Sequence, residues 1–372
     1  MRTTRTTTLA ALAGLLIAAT ATGCGSAVTT SSAGTKANDF YAQIAGLPKD
    51  QQVAKAEEVA RQEGNTLSLY TSMTSDVATP VTQAFEKKYG IKVNVFRGTS
   101  ETVLQRTLQE VQAGKAGADA LETNFAELMA LADNNFLADF NGAALDKVDS
   151  TAKFPQWTAT RLNVFQPAWN TDLIKPADEP HSWEDLALPK YRGKLTLEIS
   201  DSDWYANVTK YWLDQGKSQA EVDSLWQGIA ANSKVAKGHV TMMQFLSAGQ
   251  SAMQAMNYTY ITDHAIAAGA PVTHLPRSRV SKIPAFPRPN GVAMVKNAQR
   301  PASAWLFYHF MLTDGQKELV KLKLTPSTKV PGDKSLQGIT LVPFDVEGLI
   351  KDAAYWDNKY DALLRSAGKS GK

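Results

Sequence analysis

The sequence predicts an α/β fold arranged as two domains. The chain has 372 residues, and at about 150 residues per domain this length favours two domains. Hydrophobic residues make up 44% of the chain, which suits a sizeable core and excludes disorder for the body of the chain. From about residue 47, segments with the helical spacing of apolar residues alternate with short apolar segments typical of buried strands. This alternation predicts a parallel sheet covered by helices on both faces.

The first 23 residues have the organisation of a secretory signal peptide. Arg2 and Arg5 form a basic start, and Leu9 to Thr20 is an uncharged, mostly apolar stretch. Its 12 residues are fewer than the roughly 20 that a membrane-spanning helix needs. We expect residues 1–23 to be removed on export, which lowers the formal net charge from +3 by the two arginines, to +1.

Cys24, the single cysteine of the chain, follows this segment directly. Residues 21–24 resemble the bacterial lipoprotein box, whose cysteine is diacylated and becomes the mature N-terminus, although Ala21 stands where that family usually has leucine. Two acyl chains give stable attachment, so the resemblance implies a lipid anchor on the outer face of the cell membrane. Small polar residues then predict a flexible tether over residues 24–46. The alternative is an ordinary secretory signal with an incidental cysteine.

The elements of the body follow from apolar spacing and from the residues that end each segment. Gly64 and Gly90 end two predicted helices, and Pro80 either kinks the second of these helices or marks its start. Three prolines before residue 291 (Pro284, Pro287 and Pro289) indicate a crossover between the domains. Helices are predicted at 49–63, 75–89, 101–112 and about 345–366, and strands at 66–70, 91–96, 118–121, 195–199, 255–260 and 291–295.

Several function classes are disfavoured by what the sequence lacks. Lys+Arg 39 against Asp+Glu 36 is too even a balance for a nucleic-acid partner. One cysteine permits neither an internal disulfide nor a cysteine-based zinc site. The sequence contains no G-x-S-x-G, H-E-x-x-H, P-loop or G-x-G-x-x-G motif, and no two of its five histidines are four residues apart. We therefore expect a protein that is not an enzyme and needs no cofactor.

Several segments of the body together resemble the substrate-binding proteins of bacterial ABC importers, most closely the branch named for ferric iron transport. The segments are Leu67 to Leu121, SWEDLALPKYRGKL (Ser182 to Leu195), Gly238-His239, FLSAGQSAM (Phe245 to Met253), PNGVAMVKNAQRPASAWLF (Pro289 to Phe307) and LTDGQKEL (Leu312 to Leu319). The resemblance spans roughly residues 60–322.

That resemblance implies a type II periplasmic-binding-protein fold, in which two α/β lobes joined by crossing strands close on a ligand like a hinge. It places lobe 1 at 47–167, lobe 2 at 168–285, and a return to lobe 1 with the C-terminal helices at 286–372. It also implies a monomer whose partners are an ABC permease and an ATPase.

Ligands of open α/β sheets lie beyond the carboxyl ends of the strands, which selects the loops after each predicted strand. Hydroxyls and free N–H groups at the helix starts in two of these loops favour an anion, although plain helix capping explains each of them equally well. The candidate ligand-binding residues are Tyr70, Thr71, Ser72, Gly98, Thr99, Ser100, Asn124, Asp201, Trp204 and Tyr205. Trp204 and Tyr205 either stack on an organic ligand or pack within the protein.

Tyr258 and Tyr260 are the sharpest local feature. In a strand, residues i and i+2 point to the same face, so the two phenols are expected side by side. The ferric branch binds Fe(III) with a tyrosine pair near this place, but here Thr259 separates the two tyrosines. The resemblance makes Glu122 the next candidate metal ligand. His239 is expected to be a structural or surface histidine rather than a substitute ligand.

Three functions therefore stay open. The first is capture of ferric iron by Tyr258, Tyr260 and Glu122, with a small anion at Ser72 and Thr99. The second is the same importer role for an organic or oxyanion ligand such as a phosphonate, sugar phosphate or carboxylate, bound by the hydroxyl loops. The third is a surface lipoprotein outside transport, either an enzyme or a sensor on the same fold.

Overall fold

The computed structural model describes residues 32–115 and 117–367, which contain thirteen α-helices and twelve strands. Cys24 and the proposed signal peptide lie outside these residues. The helices are α1 (Ser32–Ala45), α2 (Lys49–Gln62), α3 (Ser75–Tyr89), α4 (Ser100–Gln112), α5 (Phe125–Asp133), α6 (Ser202–Asp214), α7 (Gln219–Asn232), α8 (His239–Ser247), α9 (Thr259–Ala267), α10 (Pro301–Met311), α11 (Asp314–Lys321), α12 (Val346–Lys351) and α13 (Ala353–Ser366). The strands are β1 (Thr66–Thr71), β2 (Lys92–Arg97), β3 (Ala120–Asn124), β4 (Leu137–Ala138), β5 (Lys153–Phe154), β6 (Trp157–Asn170), β7 (Leu195–Glu198), β8 (Ser233–Ala236), β9 (Met253–Tyr258), β10 (Val272–Thr273), β11 (Phe286–Val295) and β12 (Thr325–Pro326).

Ten of the strands form one sheet whose main path runs β10-β6-β11-β3-β1-β2. β1 pairs in parallel with both β2 and β3, and helices α3 and α4 connect these strands. β7 and β8 form a second, parallel sheet, connected through α6 and α7. Two groups of parallel strands joined by helices confirm the predicted α/β class.

β6 and β11 are the long strands that connect the two parts of the large sheet. The first half of β6 pairs antiparallel with β11, and its second half pairs with β9 and β10. The end of β11 pairs in turn with β3. These two strands are the crossing strands expected from the sequence, and Pro287 and Pro289 lie within β11. The limits of the two lobes at residues 168 and 286 stay a prediction.

The buried core includes a group of tryptophans from α6, α7 and the segment before β7. Trp204 packs edge-on against Trp183 and Trp226, with ring centroids 5.6 and 5.3 Å apart. α13 buries Tyr360 and Leu363 and packs against α6 and α7, which lie within the residues assigned to the second lobe and not with the return to lobe 1. The predicted final helix is interrupted at Asp352 and forms α12 and α13.

The prediction of a flexible tether over residues 24–46 is wrong for residues 32–45, which form α1. Phe40, Tyr41 and Ile44 of this helix are buried, and the Tyr41 hydroxyl donates to the Val295 carbonyl at 3.3 Å. These apolar residues recur at the spacing of one helix face, so burial of that face orders the segment. The rest of the predicted tether lies outside the described residues.

Among the helices that the structure describes, none combines the length and the apolar character required to cross a membrane.

Candidate functional site

A cleft of about 770 Å³ opens where strands from both predicted lobes end. Its lining includes residues at or just after the carboxyl ends of β1, β2, β3, β7, β8 and β9, such as Ser72, Arg97, Asn124, Glu198, Lys237 and Tyr258. The rule that ligands of α/β sheets lie beyond these strand ends thus leads to one shared cavity. The cleft is large enough for a metal ion with an accompanying small molecule.

Four of the predicted hydroxyl and amide residues line the cleft together: Ser72, Thr99, Ser100 and Asn124. The Asn124 Nδ2 donates to Ser100 Oγ at 2.9 Å, which joins the loops that follow β2 and β3. Thr99 is the N-cap of α4, and its Oγ1 accepts a hydrogen bond from the Thr102 N–H at 3.3 Å. Thr99 therefore caps α4 and also lines the cleft.

Three other residues predicted in these loops are directed away from the cleft. The Tyr70 hydroxyl donates to the Glu110 carboxylate at 2.9 Å on the side of α4, and its ring lies 5.0 Å from Phe96. Thr71 is fully buried and donates to Glu122. Gly98 donates its N–H to the Thr71 carbonyl, continuing the pairing of β1 with β2. Tyr70 points towards α4 because side chains along a strand alternate between the two faces of the sheet, so its neighbours in β1 face the opposite side.

Trp204 and Tyr205 belong to the core and not to the lining of the cleft. Trp204 is fully buried among tryptophans, and the Tyr205 ring lies 4.5 Å from Trp226 and 5.5 Å from Tyr360. They occupy the first turn of α6, whose apolar face packs against α7 and α13. Asp201, just before this helix, lines the cleft as expected.

Tyr258 and Tyr260 both line the cleft, with nearly parallel rings whose centroids are 6.0 Å apart. The predicted reason for their proximity is wrong, because β9 ends at Tyr258 and Tyr260 lies in the first turn of α9. Tyr258 also contacts the His239 ring, with a centroid distance of 3.9 Å. A change from strand to helix within this turn therefore brings two phenols and an imidazole together.

The Tyr260 side chain lies at the buried end of the cleft. Burial raises its pKa, while the Arg161 charge lowers it, and burial dominates. A bound cation would have to displace the phenol proton before the oxygen could act as an anionic ligand.

Glu122 lies in β3 and forms a buried ion pair instead of facing the cleft. Its Oε1 accepts from Arg161 Nε at 2.9 Å, and its Oε2 accepts from Thr71 Oγ1 at 2.8 Å. Glu122 is therefore absent from the lining of the cleft, and its charge is already paired with that of Arg161. Arg161 itself reaches the cleft and donates from Nη1 to Asn163 at 2.6 Å.

Arg288 and two acidic residues form a second charged group in the cleft. The Arg288 Nη1 contacts Asp203 Oδ2 at 3.0 Å and Asp201 Oδ1 at 3.4 Å, and all three side chains are largely buried. Burial raises the pKa of Asp201, but the neighbouring His239 and Arg288 outweigh burial and lower it overall. For Asp203, burial together with the Asp201 charge outweighs Arg288, and the pKa is raised.

Glu198, at the end of β7, supports the loop that carries His239. Its Oε1 accepts the Gly238 N–H at 2.8 Å, and its other oxygen accepts the Ser200 N–H. Gly238 has a φ of +89°, a conformation that favours glycine and that aims its N–H at Glu198. Burial and the Asp201 charge raise the pKa of Glu198.

Several charged residues of the cleft were not among those predicted from the sequence, notably Glu198, Asp203, Arg288 and Glu127. Glu198 is the last residue of β7, so extending the strand-end rule by one residue would have found it. Arg288 sits between the prolines of the crossover, which indicated a connection and not a site. Glu127 lies in α5, and burial raises its pKa to about 7. His239, expected to be structural or at the surface, lines the cleft.

The lining of the cleft is more acidic than basic. Seven carboxylates face it against four cationic side chains. The carboxylates are Glu101, Glu127, Glu198, Asp201, Asp203, Asp357 and Asp361, and the cations are Arg97, Arg161, Lys237 and Arg288. Since Arg161 and Arg288 are already paired with carboxylates, the remaining negative charge favours a cation in the cleft.

Comparison with known proteins places the chain among transport-related binding proteins. The sequence profile of the family described as bacterial extracellular solute-binding protein matches residues 81–334. A curated relative, the Fe(3+)-binding periplasmic protein of Serratia marcescens, is 27% identical over 187 residues. That alignment covers 49% of this chain and 54% of the relative, so it spans about half of the relative's length.

Solved structures with the same fold include proteins with different bound ligands. Iron-bound HitA from Pseudomonas aeruginosa aligns with a TM-score of 0.65 at 21% identity, covering 79% of this chain and 99% of HitA. The Trichodesmium protein IdiA (FutA), in complex with iron and citrate, aligns with a TM-score of 0.61 at 20% identity, covering 80% and 99%. AfuA from Actinobacillus pleuropneumoniae, with fructose-6-phosphate bound, aligns with a TM-score of 0.68 at 19% identity, covering 81% and 98%. At these identities the similarity establishes the fold.

Proposed function

The chain belongs to the bacterial extracellular solute-binding protein family, and from this premise we propose that it captures ferric iron for an ABC importer. The observation that supports iron most directly is the Tyr258–Tyr260 pair in a cleft whose lining is acidic. Phenolate and carboxylate oxygens are hard ligands that suit a hard, highly charged cation. An excess of carboxylates also offsets the charge of that cation at close range.

The relatives support the same ligand. The curated relative from Serratia marcescens binds Fe(3+) by its name, and two of the aligned structures contain iron. In this chain, the site differs from the sequence-based expectation in one ligand. Glu122 is engaged by Arg161, so the proposed iron site depends on Tyr258 and Tyr260 and on further donors from the same, second predicted lobe.

The importer role implies a membrane permease and an ATPase as partners. In this proposal the protein carries no catalytic activity and works as a monomer that closes on its ligand and delivers it to the permease. Cys24 attaches the mature chain to the outer face of the cell membrane through acyl groups. Metabolic labelling with a radioactive fatty acid tests the anchor: the wild-type chain should be labelled and Cys24→Ser should not.

A competition experiment tests the choice of ligand. The purified chain is titrated with Fe(III) in the presence of increasing citrate, and bound iron is measured after rapid removal of free chelate. We expect one Fe(III) per chain, retained against micromolar citrate. Protein that takes up no Fe(III), while a panel of phosphate esters raises its melting temperature, would replace iron with the second candidate.

That second candidate is a phosphorylated organic ligand, and one structural feature favours it. The N-termini of α3, α4, α5, α6, α8 and α9 all adjoin the cleft, and helix N-termini attract anions. AfuA, which shares the fold, was solved with fructose-6-phosphate bound. Iron is preferred because the acidic side chains of the lining oppose a free anion, whereas an anion bound together with Fe(III) satisfies both features.

A further inference from the structure

Glu198, Asp201 and His239 form a cluster of metal-binding side chains that the family resemblance did not indicate. One donor atom from each lies within 4.8 Å of the other two. The three residues come from the end of β7, the start of α6 and the start of α8, so the carboxyl end of the smaller sheet brings them together. All three line the cleft that also contains Tyr258 and Tyr260.

Asp201 has a buried oxygen whose hydrogen-bonding capacity is not filled. Its side chain is only 2% exposed, and Oδ2 makes no well-aligned hydrogen bond within the described part of the chain, although His239 Nε2 lies 3.2 Å from it. Asp201 precedes α6 as its N-cap but makes no side-chain capping bond, unlike most aspartates at this position. Arg288 and His239 make their hydrogen bonds to the other oxygen, Oδ1, at 3.4 and 3.3 Å. A buried carboxylate oxygen whose hydrogen-bonding capacity is not filled calls for a ligand.

His239 is placed so that one ring nitrogen reaches this oxygen. Its Nε2 lies 3.2 Å from Asp201 Oδ2, and its ring packs on Tyr258. Glu198 is held in place by two backbone N–H groups, one on each oxygen, and each oxygen keeps a second lone pair. These backbone bonds orient the carboxylate in the way that supporting contacts orient metal ligands.

We propose that Glu198, Asp201 and His239 bind the same metal ion as Tyr258 and Tyr260, supplying the donors that Glu122 cannot supply. This inference rests on the proposed function, because the ion in question is the captured Fe(III). Donors on one metal ion with bonds of about 2.1 Å lie at most about 4.2 Å apart, so a small adjustment of the side chains is sufficient. Two carboxylates and two phenolates supply four negative charges, against the three positive charges of Fe(III) and the one of Arg288, which contacts Asp201.

The experiment compares Glu198→Gln, Asp201→Asn and His239→Ala with the wild-type chain in Fe(III) titrations against citrate. Glu58→Gln, an exposed carboxylate outside the cleft, and His181→Ala, an exposed histidine, are the matched controls. Each cluster variant should bind Fe(III) at least about tenfold more weakly, while the controls change less than twofold. A phenolate bound to Fe(III) gives a visible charge-transfer band. This band from Tyr258 and Tyr260 should persist in the cluster variants at saturating iron.

Melting temperatures without metal separate loss of binding from loss of fold, which matters for Asp201→Asn because Arg288 would lose a partner. If Asp201→Asn does not fold, Glu198→Gln and His239→Ala decide the question. Wild-type affinity in both of these variants, together with a coloured wild-type complex, overturns this inference and leaves the proposed function intact. A wild-type chain that binds no Fe(III) overturns both.

Discussion

Arg161 Nε donates to Glu122 Oε1 at 2.9 Å, and the two side chains are 3% and 0% exposed. Arg161 lines the cleft, and the pair joins β6 to β3 across the strand between them. Glu122, which was predicted as a metal ligand, therefore has a structural role in the sheet. The cleft consequently draws its acidic donors from other elements.

Replacing Glu122 by Gln should reduce the free energy of unfolding by about 3–5 kcal/mol, because Arg161 would remain buried without a counter-charge. Urea denaturation measures the change. Glu58→Gln is the control, since Glu58 pairs with Lys55 at the surface and should contribute under about 1 kcal/mol. If Glu122→Gln lowers the free energy of unfolding no more than Glu58→Gln does, the buried pair contributes little to stability.

Replacing Trp204 by Ala should cost about 3–5 kcal/mol of stability, because the fully buried indole packs between two other tryptophans. Trp204→Phe should fold and bind Fe(III) like the wild-type chain. The control is Tyr355→Ala, at a position that is 53% exposed, with an expected change under about 0.5 kcal/mol. If a stable Trp204→Phe protein binds Fe(III) more weakly than the wild type, Trp204 takes part in ligand binding.

The sequence predicted what depends on local patterns. Apolar spacing and the glycines that end helices indicated most of the first helices and strands. Ser72, Asn124 and Asp201, which the strand-end rule selected, line the cleft. Glu122 and Trp204 were misassigned because their environment comes from elements distant in sequence. Arg161 is 39 residues from Glu122, and Trp226 is 22 residues from Trp204. Spacing along one chain carries no information about such partners.

Fe(III) affinity should fall with acidity. Each tyrosine that binds as phenolate releases one proton, so binding by two tyrosines weakens up to about 100-fold per pH unit below their pKa values. Burial raises the pKa of Tyr260, so its proton is present throughout the range from pH 5 to 8 and the slope should hold there. Affinities measured with a competing chelator, corrected for the chelator's own protonation, give this slope. An affinity that does not vary with pH would exclude phenolate ligands.

Acid should destabilise the fold through His309. Burial, reinforced by the Lys88 charge, lowers the pKa of His309 to about 4 from 6.5. Since the folded-state pKa is depressed, the neutral ring is tolerated above pH 6.5, and stability is lost as the pH falls from 6.5 towards 4, by up to about 3 kcal/mol. His309→Gln should reduce this loss, while His181→Gln, at an exposed position, should not. If stability falls with pH equally in the wild type and in His309→Gln, protonation of His309 is not the cause of the loss.

Visible absorption during Fe(III) titration tests the iron proposal most directly. A phenolate bound to Fe(III) gives a charge-transfer band that the apoprotein and free ferric citrate lack. The wild-type chain should become coloured and saturate at one Fe(III), Tyr258→Phe or Tyr260→Phe should each weaken the band, and the double variant should abolish it. A wild-type protein that stays colourless at saturating Fe(III), or a band that survives in the double variant, would contradict capture of iron by this tyrosine pair.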